Sequence, residues 1–212
     1  MAALVRAGKI RYWGLSNTPA WFAAKVATLA AARGAPGPVA LQCFYSLVNR
    51  EVEDEHIPLA AEFGLGVVPW SSLAYGLLTG KYGRAMAAAG KDGSRRRLDG
   101  ANPFGDTLFT DRNWRIVDEL KRVAEEAGES PARVALAWVV GRAGVASTLL
   151  GVSRAEQVAD NLAALDLALS PEHRAALDAV SAPEARLFTL LARPEMRGQA
   201  VFGGASVTGW RA

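Results

Sequence analysis

The chain has little of what simple functional assignments rest on. Among its 212 residues there are one cysteine and two histidines. A lone cysteine, Cys43, excludes an internal disulfide framework and fits a reducing compartment. It lies inside an apolar strand pattern, so it reads as a packed core thiol rather than a nucleophile. His56 follows Glu53-Asp54-Glu55 and reads as part of a solvated helix face, and His173 falls in the first turn of a late helix. No His/Cys/Asp/Glu spacing suggests a metal site. No apolar run approaches the ~18 residues of a membrane span, and residues 1–9 lack the apolar stretch of a signal peptide. A soluble cytoplasmic protein, with neither membrane nor nucleic acid as partner, is expected. The net charge is only +3. Much of the excess sits in Arg95-Arg96-Arg97, which reads as a solvated loop.

What is present is an apolar chain, 50% hydrophobic, long enough to bury a core as one domain over 1–212. Its pattern alternates strand and helix. Residues 1–8 look like the last turn of a helix closed by Gly8. Lys9 to Leu15 reads as a short buried strand, and Thr18-Pro19 as the start of a helix carrying Trp21, Phe22, Val26 and Leu29. Val39 to Tyr45 is a second strand. A helix over Val52 to Phe63 ends at Gly64, and Gly66 to Trp70 is a third strand. Residues 83–110 form a long loop of the kind that is a lid or disordered. Thr110 caps a helix that Gly128 closes, and Ser130-Pro131 opens another through Val139. Ala146 to Val152 is a fourth strand. Ser153-Arg154-Ala155-Glu156 reads as a capping box. Ser170-Pro171 starts a last helix, and 182–212 is a tail.

Short apolar strands alternating with helices mean an α/β protein with a parallel sheet. No Gly-rich turn follows the first strand, which disfavours a doubly wound dinucleotide fold. A (β/α)8 barrel takes about 250 residues and eight strands, and four strand–helix units are legible here. The expectation is a parallel (β/α) barrel type present as about half a barrel. Such a half leaves side chains without opposing layers. Leu41, Val67 and Leu149 fall on one face or the other of the sheet. Self-association, a partner, or the apolar tail residues Phe188, Leu190, Leu191 and Phe202 would have to cover it.

In a barrel the C-terminal ends of the strands build the site. Ser16, Asn17 and Gln42 fall there and offer the donors and acceptors that a carboxamide needs. Trp70 offers a flat face suited to a nicotinamide ring. Gly151 to Asn161 is a second constellation, with a helix N-terminus after a strand where an anion is favoured. Arg154 can meet an adenosine 2′-phosphate, and Gln157 and Asn161 share one helix face. Glu156 would oppose that phosphate. Each feature also has an ordinary reading: a turn pair, a core tryptophan, plain capping.

Four segments carry a more specific likeness. Gly8-Lys9-Ile10-Arg11-Tyr12-Trp13-Gly14-Leu15-Ser16-Asn17 resembles the fifth strand of the aldo-keto reductase family. Gln42 through Arg50 is similar to its sixth. Pro69-Trp70-Ser71-Ser72-Leu73 through Gly76-Leu77-Leu78-Thr79-Gly80-Lys81-Tyr82 resembles its seventh, and Gly151 through Gln157 to Asn161 its eighth strand and NADP-binding helix. The resemblance covers nearly the whole chain, most firmly 4–82 and 130–180. It implies NADP(H)-dependent reduction of a carbonyl substrate on a (β/α)8 barrel. It places Ser16, Asn17 and Gln42 on the carboxamide and Trp70 on the nicotinamide. Ser71, Leu73, Leu77, Gly80 and Lys81 would lie along the pyrophosphate. Gly151, Ser153, Arg154, Gln157 and Asn161 would surround the adenosine phosphate.

The same resemblance implies a proton-donating tyrosine tuned by lysine and aspartate and assisted by histidine, all from the family's first four units. None of Tyr12, Tyr45, Tyr75 and Tyr82 fits that role. No catalytic residue is therefore assigned. The chain reads as an N-terminally truncated reductase inactive alone, as a half-barrel completed by a partner, or as a non-catalytic dinucleotide-binding module.

Overall fold

The computed structural model describes residues 1–84, 105–184 and 186–192, together with 196, 198, 200 and 202–205. Most of the expected 83–110 loop, the Arg95–97 run, Trp210 and the side chain of Phe188 lie outside the described residues. The described chain separates into two compact units, Met1–Ala182 and Pro183–Ala212.

In the first unit α1 (Ala2–Arg6) precedes β1 (Gly14–Ser16), α2 (Ala20–Ala32), β2 (Ala40–Phe44), α3 (His56–Phe63) and β3 (Gly66–Trp70). The strands pair parallel in the order β1-β2-β3, with Leu15 beside Leu41 beside Val67. After the 3-10 segment Ala74–Thr79 come α4 (Gly105–Leu108), α5 (Asp111–Ala127), α6 (Pro131–Val140), α7 (Glu156–Leu162) and α8 (Pro171–Val180). Thr110, Ser130 and Ser170 each accept a hydrogen bond from the backbone N–H three residues on. These are the N-cap contacts their spacing predicts. The second unit contains α9 (Leu187–Ala192), and Gly204 N–H donates to Gly198 O at 2.8 Å.

The expected strand over Lys9 to Leu15 shrinks to Gly14–Ser16, and Tyr12 is 75% exposed. β1 lies at the sheet edge with β2 as its one neighbour, so among the described residues no strand pairs along the outer side of residues 9–13. α2 begins one residue later than expected, with Pro19 rather than Thr18 at its cap. Thr18 instead uses its carbonyl to accept from His56 Nε2 at 2.9 Å. His56 is therefore a tether between α3 and the β1–α2 turn, not a solvated side chain.

The expected fourth strand is also corrected: three strands, not four, form a ladder among the described residues. Residues 144–149 do run beside β3. Val67 N–H donates to Gly144 O, Ala146 N–H to Val67 O, and Leu149 N–H to Pro69 O. One parallel bridge forms, at Val67 and Val145. Continuing the ladder calls for an N–H from residue 69, and that residue is proline. The approach is nonetheless close: a Cβ on Gly66 would sit 2.8 Å from Ala146 Cβ.

The sheet has two unlike faces. Leu41, Cys43 and Val67 point into a core shared with Ala23, Ala60, Ile116, Leu120, Leu136 and Trp138. Ser16 and Gln42 point the other way and are exposed. Leu41 and Val67 thus belong to the helix-covered face, while Leu149 is exposed at the sheet edge.

Candidate functional site

The polar strand ends converge as the parallel register requires. Ser16 is paired with Gln42 in the ladder, and Asn17 N–H donates to Gln42 O at 3.1 Å. Asn17 has left-handed backbone, φ 50°, which turns its side chain toward β3. There its Oδ1 accepts from the Trp70 indole at 3.0 Å. Trp70 also packs on Phe44, ring centroids 5.0 Å apart, and meets Tyr75 edge-on at 6.4 Å.

The segment after β3 is held by backbone that L-residues seldom adopt. Ser71, Ala74 and Tyr75 have φ of 54°, 47° and 56°, at a cost of about 1–3 kcal/mol each. The core compensates: Leu77 and Leu78 are fully buried and Tyr82 nearly so. Ser71 Oγ accepts from Tyr75 N–H at 3.3 Å. At Gly76, φ 96°, a Cβ would sit 2.8 Å from Lys81 Nζ. Only a glycine there lets the ammonium fold back over the turn.

A groove of about 900 Å³ runs from this turn to α7. Of the residues expected at a site it gathers Trp70, Ser71, Leu73 and Lys81 on one side, and Gly151, Ser153, Arg154, Gln157 and Asn161 on the other. Ser16, Asn17 and Gln42 are not part of its lining; Asn17 reaches it through Trp70. Leu77 and Gly80 also stand outside it. The Leu77 side chain is core, and Gly80, φ 76°, faces Lys121 and Pro131. Lys81, Arg133 and Arg154 are the basic residues of the lining and Asp160 its acid.

The capping box at Ser153–Glu156 is not formed. Helix α7 starts at Glu156 with Ala155 at its cap and no side-chain cap bond. Gln157 folds back instead: its Oε1 accepts from Ser153 N–H at 2.9 Å and Arg154 N–H at 3.3 Å. A side-chain amide thus occupies the N–H groups that were expected to meet an anion.

Ser72, Thr79, Ser130, Arg133 and Leu136 also line the groove and were not anticipated. Ser130 carried a signal, but as a helix cap. That α6 packs against the 74–79 segment is a tertiary fact with no local signature. Ser72 Oγ and Arg133 Nε are enclosed without a hydrogen-bond partner. Unsatisfied buried donors beside a groove fit a polar ligand better than an apolar one.

Two groups with nucleophile or proton-donor chemistry are locked away. Burial pushes the Cys43 thiol up to about 11. Burial, and then the Glu53 carboxylate, push the Tyr45 phenol well above its usual range. Its hydroxyl donates to Glu53 Oε1 at 2.6 Å and accepts from Arg142 Nε at 3.1 Å. No cluster of His, Cys, Asp and Glu able to hold a metal ion occurs among the described residues, and no described helix is long and apolar enough to cross a membrane.

The model of the aldo/keto reductase family matches residues 1–182. The chain belongs to that family. Similar proteins include a probable voltage-gated potassium channel subunit beta of Oryza sativa subsp. japonica, 35% identical over 168 residues, which are 78% of this chain and 50% of that protein. The uncharacterized oxidoreductase YrpG of Bacillus subtilis (strain 168) is 34% identical over 79% of this chain and 48% of its own length. The probable aryl-alcohol dehydrogenase AAD4 of Saccharomyces cerevisiae (strain ATCC 204508 / S288c) is 32% identical over 84% of this chain and 52% of its own. The chain spans about half the length of these curated relatives. Members of an aldo/keto reductase family are (β/α) barrel oxidoreductases that generally bind NAD(P)H. The parallel sheet with helices on one face is consistent with part of such a barrel.

Proposed function

We propose that this chain is the cofactor-holding half of an NADP(H)-dependent carbonyl reductase and reduces nothing by itself. One observation carries the reading: a continuous groove leads from the Trp70 face to Arg154 and Asn161. It is lined by an aromatic plane at one end and a cation with two amides at the other. Trp70, steadied by Phe44 and Asn17, would bear the nicotinamide ring. Ser71, Leu73 and Lys81 would lie along the pyrophosphate. Gly151, Ser153, Arg154, Gln157 and Asn161 would enclose the adenosine phosphate, for which Arg154 favours NADP(H). Gln157 would have to release the Ser153 and Arg154 N–H groups as the phosphate arrives. When bound, the dinucleotide supplies the reducing electrons.

The proton must come from elsewhere. The proton donor that the family resemblance implies is a tyrosine whose pKa is lowered by a nearby cation. Tyr45 is buried and shifted in the opposite direction. The open sheet face bearing Ser16 and Gln42 supports completion by further strands, because parallel sheets are ordinarily covered on both faces. Apolar exposure follows both edges: Tyr12 and Trp21 on the β1 side, Leu149, Leu150, Leu162 and Leu165 on the other. We therefore read the other half of the barrel as supplied by further polypeptide, by a partner, or by a second copy. The site residue assignments stand or fall with cofactor binding.

NADPH fluorescence titration, size-exclusion mass and turnover of a generic aldehyde test this together. Saturable NADPH binding with near-zero turnover is expected. A brisk NADPH-dependent rate from a pure monomer would overturn it. The second reading, a non-catalytic dinucleotide-binding module, is favoured by the locked Tyr45 and by the potassium channel beta subunits among the relatives. It requires that turnover stay absent even when the missing half of a relative is co-expressed.

A further inference from the structure

Arg133 stands on α6 in the wall of the groove, and its guanidinium is half used. Its Nη1 pairs with the Glu129 carboxylate one turn earlier. The opposite edge is different. Nε is enclosed and has no hydrogen-bond partner among the described residues. The Nε–Nη2 edge of a guanidinium carries two parallel N–H donors, a fork that matches two oxygens of a phosphate. Leaving such a donor enclosed and unpaired is costly. The residue nonetheless sits at the groove rather than at open surface, with its side chain 29% exposed.

A second, independent orphan lines the same groove. Ser72 is 2% exposed, and its hydroxyl has no partner. It follows the left-handed Ser71 at the start of the turn that carries Lys81, and α6 packs against the 74–79 part of that turn. The ammonium of Lys81 folds over Gly76 into the same space. The Ser72 hydroxyl and the Arg133 Nε are thus two unpaired donors on one groove wall, with the Lys81 ammonium lining the same groove. The lining contributes Asp160 as acid on α7, and Glu129 is held by Arg133.

We infer that Arg133 and Ser72 form a phosphoryl-binding pair in this groove, with the Nε–Nη2 edge and the Ser72 hydroxyl donating to a phosphate or pyrophosphate oxygen. The inference rests on the groove being the dinucleotide site proposed above. It adds Ser72, between Ser71 and Leu73 in the segment after β3, and Arg133 on α6, which packs against that segment. Presenting both donors requires a rotation of the Ser72 side chain and a shift of the guanidinium within its pair with Glu129.

The test uses the whole chain, titrated with NADPH by fluorescence and with inorganic pyrophosphate by calorimetry. Arg133→Gln should weaken both by about tenfold to a hundredfold, the range of a charge-assisted hydrogen bond. Ser72→Ala should weaken both by about threefold to tenfold. Arg133→Lys keeps a cation for Glu129 but lacks the fork. It guards against misfolding of the glutamine variant and should lose nearly as much affinity, with an unchanged circular dichroism spectrum. If all three variants bind both probes within twofold of the parent, the inference fails while the cofactor reading survives. It fails also if Arg133→Gln weakens NADPH but not pyrophosphate. A parent that binds pyrophosphate through Arg133 but not NADPH keeps the phosphoryl pair and removes the dinucleotide reading. A parent that binds neither overturns both.

Discussion

The Trp70 indole donates to Asn17 Oδ1 at 3.0 Å, joining the ends of the first and third strands across the edge of the second. The bond fixes the tilt of the indole over the mouth of the groove. It also depends on Asn17 holding φ at 50°, a conformation that asparagine tolerates better than most residues. Asn17→Gly keeps the backbone accessible and removes the amide. Asn17→Ala removes the amide and adds strain of roughly 1–2 kcal/mol. The alanine variant should therefore melt below the glycine variant, while both lose NADPH affinity to a similar degree. Equal melting temperatures would show that the turn at Asn17 is not strained. Unchanged affinity in both would remove Asn17 from the proposed site.

The two ends of the groove differ in how far their local chemistry could be read. Thr110, Ser130 and Ser170 cap helices as their spacing predicts, because a cap depends on a few neighbouring residues. Ser153 satisfied the same pattern, yet Gln157 takes its place. A glutamine four residues on competes for the same N–H groups, and a spacing rule that looks at Ser and Glu does not see it. Ser130→Ala and Ser170→Ala should each cost about 1 kcal/mol by urea denaturation. Ser153→Ala should cost a few tenths at most. Gln157→Ala should cost more than Ser153→Ala, since it frees two N–H groups at once. The reverse order of the last two would restore the capping box.

Larger features show the same division. Gly66–Trp70 was legible as a strand because its apolar run is bounded by glycine and a polar turn, and the helix ends at Gly64 and Gly128 were legible from their left-handed glycines. The fourth strand was over-read. Residues 146–152 have strand composition, but pairing there is decided by Pro69 on the neighbouring strand. The Glu129–Arg133 pair is a local one, four residues apart, but the enclosure of Arg133 Nε and of the Ser72 hydroxyl depends on α6 meeting the turn after β3, which no window of sequence contains.

Arg50 and Arg142 both lie against a single aromatic ring. Their guanidinium carbons are 5.2 and 4.7 Å from the centre of Trp138. Arg50 also pairs with Glu53 at 2.8 Å and donates to Asp178 O and Ser181 Oγ. Arg142 pairs with Asp178 at 2.9 Å and donates to Tyr45 Oη. The network ties the loop after β2 to the ends of α6 and α8. Breaking a buried pair from one side is expensive because the remaining charge is stranded. Arg50→Met, at a residue 8% exposed, should cost about 3–5 kcal/mol. Tyr45→Phe removes one hydroxyl and should cost about 1–3 kcal/mol. The double variant should fall short of the sum, since Glu53 is shared. Additive losses would show that the two side chains do not communicate through it.

Cys43 gives the chain an alkaline limit. Burial lifts its thiol from the ordinary 9.0 to about 11. Below pH 9 the thiol is protonated in both the folded and the unfolded chain, so pH has no effect through it. Between pH 9 and about 11 the unfolded chain releases this proton while the folded one keeps it. Fewer protons are then bound in the unfolded state, and stability falls as pH rises. A shift of this size corresponds to a loss of about 2–3 kcal/mol across that window. Tyr45, pushed up by burial and Glu53, adds a loss of the same sign at higher pH. Urea midpoints measured from pH 7 to 11 should be flat up to about pH 9 and then decline. In Cys43→Ala the whole curve should start lower because of the cavity, with a shallower decline between pH 9 and 10. An equally steep decline in that variant would assign the alkaline limit to Tyr45 alone. Slow labelling of Cys43 by a thiol reagent at pH 8, accelerating only on addition of urea, is the matching chemical signature.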